Sequence, residues 1–121
     1  MKILVVEEKE EARFQLYEML SDEGHQVSMA TNGQEVIVLT ETQGLIFDLI
    51  FLSIHLPIFD SLVIAKKVIS EGRYKKSQLI VTTSDILNII GDDDYAEYFS
   101  GYLLKPINKE NLMKLINSYE V

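Results

Sequence analysis

The stretch DLIFLSIHLPIFDS, residues 48–61, is the most informative part of the sequence for both fold and function. Its apolar run without alternation, 48–53, is typical of a strand that is buried on both faces of a sheet. The run ends at Ser53, and Leu56-Pro57 then begins a turn. A doubly buried strand implies helices on both faces of the sheet. A polar side chain at the end of such a strand predicts a functional site at that edge.

Strands and helices alternate along the rest of the chain. Short runs rich in β-branched residues predict strands, and apolar residues at helical spacing predict helices. Gly24 is a helix stop, Asn108 is a helix cap, and GDDD (91–94) predicts a bent or irregular helix. The predicted strands are 3–6, 26–30, 48–53, 79–83 and 101–104, and the predicted helices are 9–23, 34–42, 61–71 (ended by Gly72), 85–99 and one after Asn108 with Leu112, Leu115, Ile116 and Tyr119 on its inner face.

Length and composition bound both the fold and the function. The chain has 121 residues, which suits one domain, 1–121, and 47% of them are hydrophobic. Five successive β–α units with right-handed crossovers predict an α/β fold with a doubly wound parallel sheet. A net charge of −8 argues against direct binding to nucleic acid or to an anionic membrane. No cysteine, membrane span or signal peptide is present, so we expect a cytoplasmic protein.

Polar side chains follow four of the predicted strands, at the point where each strand ends. Glu7 and Glu8 follow the first strand, Ser53 ends the third, Thr82–Ser84 end the fourth, and Lys105 follows the fifth. Taken singly, each is typical of a solvated surface or of β-propensity. Because parallel strands bring their carboxyl ends to one edge, the joint arrival of acids, hydroxyls and an ammonium there predicts a site.

These features resemble a response-regulator receiver domain over essentially the whole chain. The matching stretches are KILVVEE, DLIFLSIHLPIFDS, LIVTTSD and GYLLKPI. The resemblance implies a flavodoxin-like (βα)5 fold with strand order 2-1-3-4-5 and a role in two-component signal transduction. In such domains an acidic pair binds Mg²⁺, and an aspartate at the end of the third strand takes a phosphoryl group from a histidine kinase. A threonine or serine and a lysine then hold the phosphate, and an aromatic residue on the fifth strand moves with that hydroxyl.

The acceptor position is where the family pattern fails, because Ser53 stands in place of the aspartate. Other departures accompany it: Glu8 for the usual aspartate, Ser61 for glycine, Ser84 for an alanine-like residue and Gln78 for proline. They favour a natively divergent sequence over a substitution engineered at position 53. The remaining equivalents that the resemblance implies are Glu7 and Glu8 for the acidic pair, Thr83 and Tyr102 for the switch, Lys105 for the lysine and Pro106 for a proline after a cis bond.

Serine at this position removes the group that reacts. A hydroxyl is not an anionic nucleophile and needs an adjacent base, and His55 fits a loop residue better than such a base. We therefore expect no catalytic residue and no enzymatic activity. With one carboxylate lost, we expect Lys105 to pair with Glu8 or Glu7 and to donate to Ser53. Mg²⁺ binding is then lost or weak, and no other cofactor is expected.

The resemblance places partner contacts on the face of the fourth helix, the fifth strand and the fifth helix. Apolar side chains are abundant there, and their excess is either an exposed interaction patch or the burial of an irregular helix. The favoured function is a phosphorylation-independent receiver that acts as a protein–protein interaction or homodimerisation module. The alternatives are a receiver still phosphorylated in a Mg²⁺-dependent phosphorelay, and a small-ligand sensor that uses the vacated pocket. The apolar residues concerned are Ile86, Leu87, Ile89, Ile90 and Phe99.

Overall fold

Strands and helices alternate throughout residues 1–58, 60–70 and 77–120, which the computed structural model describes. All five predicted strands are present, and their ends differ from the prediction by at most one residue. The strands are β1 Lys2–Val6, β2 Gln26–Ala30, β3 Leu49–Ser53, β4 Gln78–Thr83 and β5 Gly101–Leu104. The α-helices are α1 Glu10–Asp22, α2 Gly33–Ile37, α3 Ser61–Ser70, α4 Asp93–Tyr98 and α5 Lys109–Tyr119.

The five strands form one parallel sheet in the order β2-β1-β3-β4-β5, which confirms the predicted topology. The register pairs Val6 with Leu52, Ser53 with Thr82, and Thr83 with Leu104. The carboxyl ends of β1, β3, β4 and β5 therefore meet at one edge, where the polar side chains were expected.

Two apolar layers pack on opposite faces of the sheet. In β3, Ile50 and Leu52 enter the layer under α2, α3 and α4, whereas Leu49 and Phe51 enter the layer under α1 and α5. Successive residues of a strand point to opposite faces, so a strand covered on both sides is apolar without alternation. The predicted inner face of the last helix is confirmed, with two fully buried residues and two partly buried ones: Leu112, Ile116, Leu115 and Tyr119.

Two predicted helix ends are present in the structure. Gly24 ends α1 with φ of +87°, a conformation that glycine adopts without strain, and its N–H donates to the Ser21 carbonyl at 3.0 Å. Asn108 caps α5, because its Oδ1 accepts from the backbone N–H of Asn111 at 2.8 Å. The predicted end of the third helix at residues 71 and 72 lies outside the described residues.

Two helical segments are less regular than the others. The predicted helix 34–42 is α-helical only to Ile37 and continues as a π-helix over Val38–Thr42, where the buried Thr40 hydroxyl donates to the Val36 carbonyl at 2.9 Å. Residues 85–99 form a 3₁₀ turn, Ile86–Asn88, and then the six-residue α4, which confirms the expected irregular segment. No helix among the described residues is long and apolar enough to cross a membrane.

The apolar residues of this irregular segment divide between core and surface. Phe99 is buried, and Ile89 packs against the core together with the neighbouring rings of Tyr95 and Tyr98. Leu87 and Ile90, by contrast, are 76% and 61% exposed. The buried members therefore fit the burial of an irregular helix, and an interaction patch at the exposed members stays a prediction.

Candidate functional site

Pleating of the strands selects which side chains meet at the carboxyl edge. Val5 and Phe51 both enter the layer under α1 and α5, and side chains two positions further along a strand point to the same face. Glu7 and Ser53 follow at those positions, and both are buried. Lys105 follows the buried Leu103 of β5 in the same way. Three polar groups thus arrive on one face of the sheet.

Lys105 joins these groups. Its ammonium Nζ lies 2.5 Å from Oε1 of Glu7 and donates to Oγ of Ser53 at 2.9 Å. The Glu7 side chain is 6% exposed and the Lys105 side chain 25% exposed, so the pair lies mostly inside the protein. The ion pair that the sequence predicted is therefore present, and of its two candidate acids the partner is Glu7. Glu8 lies on the exposed surface.

The backbone fixes both ends of this ion pair. The N–H of Lys105 donates to the Thr83 carbonyl at 2.8 Å, and the bond from Lys105 to Pro106 is cis, as the family resemblance implies. On the other side, Oε2 of Glu7 accepts from the backbone N–H of Lys9 at 3.3 Å. The Arg13 guanidinium donates to the Glu7 carbonyl at 3.0 Å. Both carboxylate oxygens of Glu7 are therefore engaged in hydrogen bonds.

The two positions assigned to the switch lie on the other face of the sheet. Thr83 is buried, and its hydroxyl donates to the Asp85 carbonyl at 3.1 Å and accepts from the Asp85 N–H at 3.2 Å. Tyr102 pairs in register with Val81, and its side chain is exposed. The described contacts place the Thr83 hydroxyl at the start of the loop after β4. The roles of Thr83 and Tyr102 as switch residues stay predictions.

Ser61 makes contacts that the sequence reasoning missed. Its hydroxyl is fully buried, donates to the Ile54 carbonyl at 3.0 Å and lies 3.4 Å from the hydroxyl of Tyr95. It thereby joins the loop after β3 to α4. The signal in the sequence was a serine at a helix start where the family has glycine, but its partner on a distant helix could not be read from spacing.

Two further aspartates make hydrogen bonds to the backbone away from this site. Asp48 lies at the opposite edge of the sheet, where its Oδ2 accepts from the Lys2 backbone N–H at 2.8 Å. Asp60 precedes α3, and its Oδ1 accepts from the Val63 N–H at 2.9 Å. His55 is exposed in the loop after β3. None of the three belongs to the group of Glu7, Ser53 and Lys105, which we call the Lys105 cluster.

The residues at the carboxyl edge do not fit the Mg²⁺ site that the family implies. Mg²⁺ demands near-octahedral oxygen ligands at about 2.0–2.1 Å. Here one oxygen of Glu7 accepts from the Lys105 ammonium, and the third-strand position supplies the neutral hydroxyl of Ser53. The described part of the chain contains no group of three or more histidine, aspartate or glutamate side chains arranged to hold a metal ion.

Known proteins resemble this chain over nearly its full length. Over 98% of its residues it is 28% identical to hybrid signal transduction histidine kinase G of Dictyostelium discoideum, but it spans only 4% of that protein's length. It is 25% identical to Protein PilH of Pseudomonas aeruginosa, over 97% of this chain and 95% of PilH. The solved structure of a response regulator receiver domain (CheY-like) from Methylobacillus flagellatus is 26% identical, covers 99% of this chain and 98% of its own, and superposes with a TM-score of 0.87.

The match to a protein family agrees with the sheet topology. Residues 3–117 match the family described as response regulator receiver domain. That range contains all of the strands except Lys2, and it contains the Lys105 cluster. The chain therefore belongs to the response regulator receiver domain family and is a receiver domain of two-component signalling.

Proposed function

We propose that this receiver transmits signals through protein contacts without being phosphorylated at position 53. The observation that carries the proposal is the bridge from the Lys105 ammonium to both Glu7 and Ser53. In this arrangement the lysine that would hold a phosphate is already engaged, and no acceptor carboxylate stands between it and the acid. The site keeps the shape of a phosphorylation site without the group that reacts.

The surroundings of Ser53 do not activate its hydroxyl as a nucleophile. Serine needs a neighbouring base that takes its proton. The group 2.9 Å from Oγ is an ammonium, which donates a hydrogen bond and has no lone pair for a proton. The carboxylate of Glu7 is itself paired with that ammonium. Ser53 is also buried, which restricts the approach of a phosphoryl donor.

The charge balance of the site disfavours a divalent cation. A typical receiver would offer three carboxylates, whereas here Glu7 is neutralised by Lys105 and Glu8 points to the surface. A cation bound at Glu7 would have to displace the ammonium or lie beside it, and like charges repel strongly where water is scarce. We therefore propose that Mg²⁺ binding is lost or weak and that the lysine takes the place of the metal charge.

The space beside Lys105 also bears on the small-ligand alternative. A cavity bordered by Glu7, Phe51, Thr82 and Lys105 has a volume of about 70 Å³. Pockets that hold small-molecule ligands usually have about 300–1,000 Å³. A cavity of this size suits a few water molecules. Its lining continues toward α1 and does not include Ser53, so a ligand at the vacated position would have to bind outside this cavity.

The contact surface we propose is the face formed by α4, β5 and α5. Tyr102 and Leu104, two large apolar side chains of the edge strand, are 47% and 44% exposed on one face of that strand. Exposed aromatic and aliphatic side chains are favoured in protein interfaces. A homodimer through this face is a second arrangement of the same function. The net charge of −8 argues against direct contact with nucleic acid.

The proposal is tested by incubation of the full chain with acetyl phosphate and Mg²⁺, followed by intact mass spectrometry. The Ser53→Asp variant is the matched control, since it restores the usual acceptor. We expect no phosphorylated species from the wild type under conditions that phosphorylate the variant. A phosphorylated wild-type species would overturn the proposal, and its stability in acid and base would distinguish a serine ester from an acyl phosphate.

A further inference from the structure

One face of the sheet is incompletely covered at its β5 edge. Tyr102 pairs in register with Val81, and Leu104 pairs with Thr83, so both side chains share the face that carries the layer under α2, α3 and α4. Val81 and Thr83 are buried, but Tyr102 and Leu104 are nearly half exposed. A parallel sheet of this kind normally has both faces covered by helices. The β5 edge thus presents an apolar surface that the described part of the chain leaves open.

The irregular path before α4 opens a groove next to this surface. The 3₁₀ turn ends at Asn88, Gly91 follows with φ of +77°, and α4 has only six residues. A groove of about 300 Å³ lies between α4 and β5, large enough for a bulky side chain. Its apolar lining includes Val81, Ile86, Ile89, Ile90, Phe99 and Tyr102, and Tyr95 and Ala96 line it from α4.

The rim of this groove is acidic. Asp92 and Asp93 line it, and Asp94 and Glu97 follow on the exposed surface of α4. The Asp92 carboxylate also caps α4 by accepting from the Asp94 N–H at 2.9 Å. Lys66 approaches Asp94 at 3.9 Å, so one acid of the rim has a cation near it. The rim as a whole keeps a negative charge, in a chain whose net charge is already −8.

We infer that this groove binds a basic peptide segment of a partner protein, which inserts one large apolar side chain between α4 and β5 and places lysine or arginine against Asp92 and Asp93. The inference rests on the proposed function and names the chemistry of its partner. Charge complementarity decides the occupant, because potentials of opposite sign attract across an interface and steer association. A second copy of this chain would bring another net charge of −8 to the same rim. The apolar anchor supplies affinity and the acidic rim supplies selectivity.

The test is selection of a random displayed peptide library against the full chain, without Mg²⁺ or a phosphoryl donor. We expect the enriched peptides to carry a large apolar residue flanked by lysine or arginine. Synthetic copies should shift the amide signals of Ile90, Tyr95 and Tyr102 in the labelled protein. Enrichment of acidic or neutral peptides, shifts confined to other surfaces, or no enrichment at all would overturn the inference. Self-association through this face in sedimentation experiments would overturn it as well, since the occupant would be a second copy.

Three variants separate the two parts of the inference. Asp92→Asn with Asp93→Asn removes the charge but keeps a capping side chain at 92, and should weaken binding of the selected peptides roughly 2- to 30-fold at low salt. Ala96→Trp fills the groove from α4 and should abolish binding, with the urea midpoint confirming that the variant folds. Glu18→Gln with Asp22→Asn removes the same charge from exposed positions on α1 and should leave binding unchanged. An equal loss of peptide affinity in the two charge variants would show that the acidic rim does not determine selectivity for basic peptides.

The outcome is distinguishable from failure of the proposed function. A phosphorylated wild type that still binds basic peptides in the groove would refute the proposed function and leave this inference intact. An unphosphorylated protein that selects no basic peptide would refute this inference and leave the proposed function intact.

Discussion

Replacement of Lys105 by methionine removes one charge from the centre of the site and keeps an unbranched side chain that is one atom shorter. The Glu7 carboxylate, 6% exposed, would lose its cation and keep the backbone N–H of Lys9 at 3.3 Å. Breaking a fully buried ion pair destabilises a protein by about 3–5 kcal/mol. Because Lys105 is 25% exposed, water relieves part of this loss, which brings the pair to about 2–3 kcal/mol. The hydrogen bond to Ser53 adds about 0.5–1 kcal/mol.

The expected loss of about 3 kcal/mol is a large part of the stability of a small domain, which is usually about 5–15 kcal/mol. Urea unfolding at neutral pH, with the midpoint and slope fitted together, measures it directly. A double-mutant cycle isolates the pair. Glu7→Gln added to Lys105→Met should recover about 2 kcal/mol, since no charge is then left buried without a partner.

Lys109 provides a matched control for the loss of a lysine charge. Its ammonium lies 3.6 Å from Glu23, but both side chains are well exposed. Lys109→Met should therefore change stability by no more than about 0.5 kcal/mol. If Lys105→Met were no more destabilising than Lys109→Met, or if the cycle showed no coupling with Glu7, the ion pair would not stabilise the fold.

Three further predictions follow from the contacts in the structure. In Ser53→Asp a second carboxylate competes for Lys105, so we expect a lower melting temperature than that of the wild type in EDTA. Mg²⁺ at tenfold excess over Kd should then raise the free energy of unfolding of the variant by about 1–2 kcal/mol, and an equal response of the wild type in thermal denaturation would contradict this. Ser61→Ala should lower the free energy of unfolding in urea by about 1 kcal/mol, because the Ile54 carbonyl loses the hydrogen bond from the Ser61 hydroxyl. An unchanged urea midpoint would show that this buried hydrogen bond contributes little. Phe51→Ala, at a buried position, should destabilise the protein by about 3–5 kcal/mol, and Leu87→Ala, at an exposed position, by less than about 0.5 kcal/mol. Comparable losses in urea unfolding would show that Leu87 is buried in solution.

The fold could be predicted from the sequence because its strands carry a strong local signal. The run from Leu49 to Leu52 is apolar throughout, as is typical of a strand that is covered on both faces. Gly24 and Asn108 marked helix ends through conformational and hydrogen-bonding preferences that act locally. The strand order, by contrast, depends on pairing between distant segments and came from the family resemblance.

The site was only partly predictable for the same physical reason. The ion pair of Lys105 followed from charge balance, but the choice between Glu7 and Glu8 was left open, although the alternation of side chains from Val5 onward selects Glu7. The bond from Ser61 to Tyr95 joins two helices far apart in the sequence, and no local pattern reveals it. Among residues 85–99, tertiary packing determines which apolar side chains are buried and which are exposed. The spacing of apolar residues in the sequence does not reveal this division.

We propose that a receiver site with Ser53 at the acceptor position and Lys105 paired with Glu7 neither binds Mg²⁺ nor takes up a phosphoryl group. The most direct measurement is the amide NMR spectrum of the full chain during titration with Mg²⁺ and then with beryllofluoride, a mimic of the phosphoryl group. We expect the signals of Glu7, Glu8 and Ser53 to stay in place throughout. Large saturable shifts at these three residues, in the wild-type protein and dependent on Mg²⁺, would contradict it.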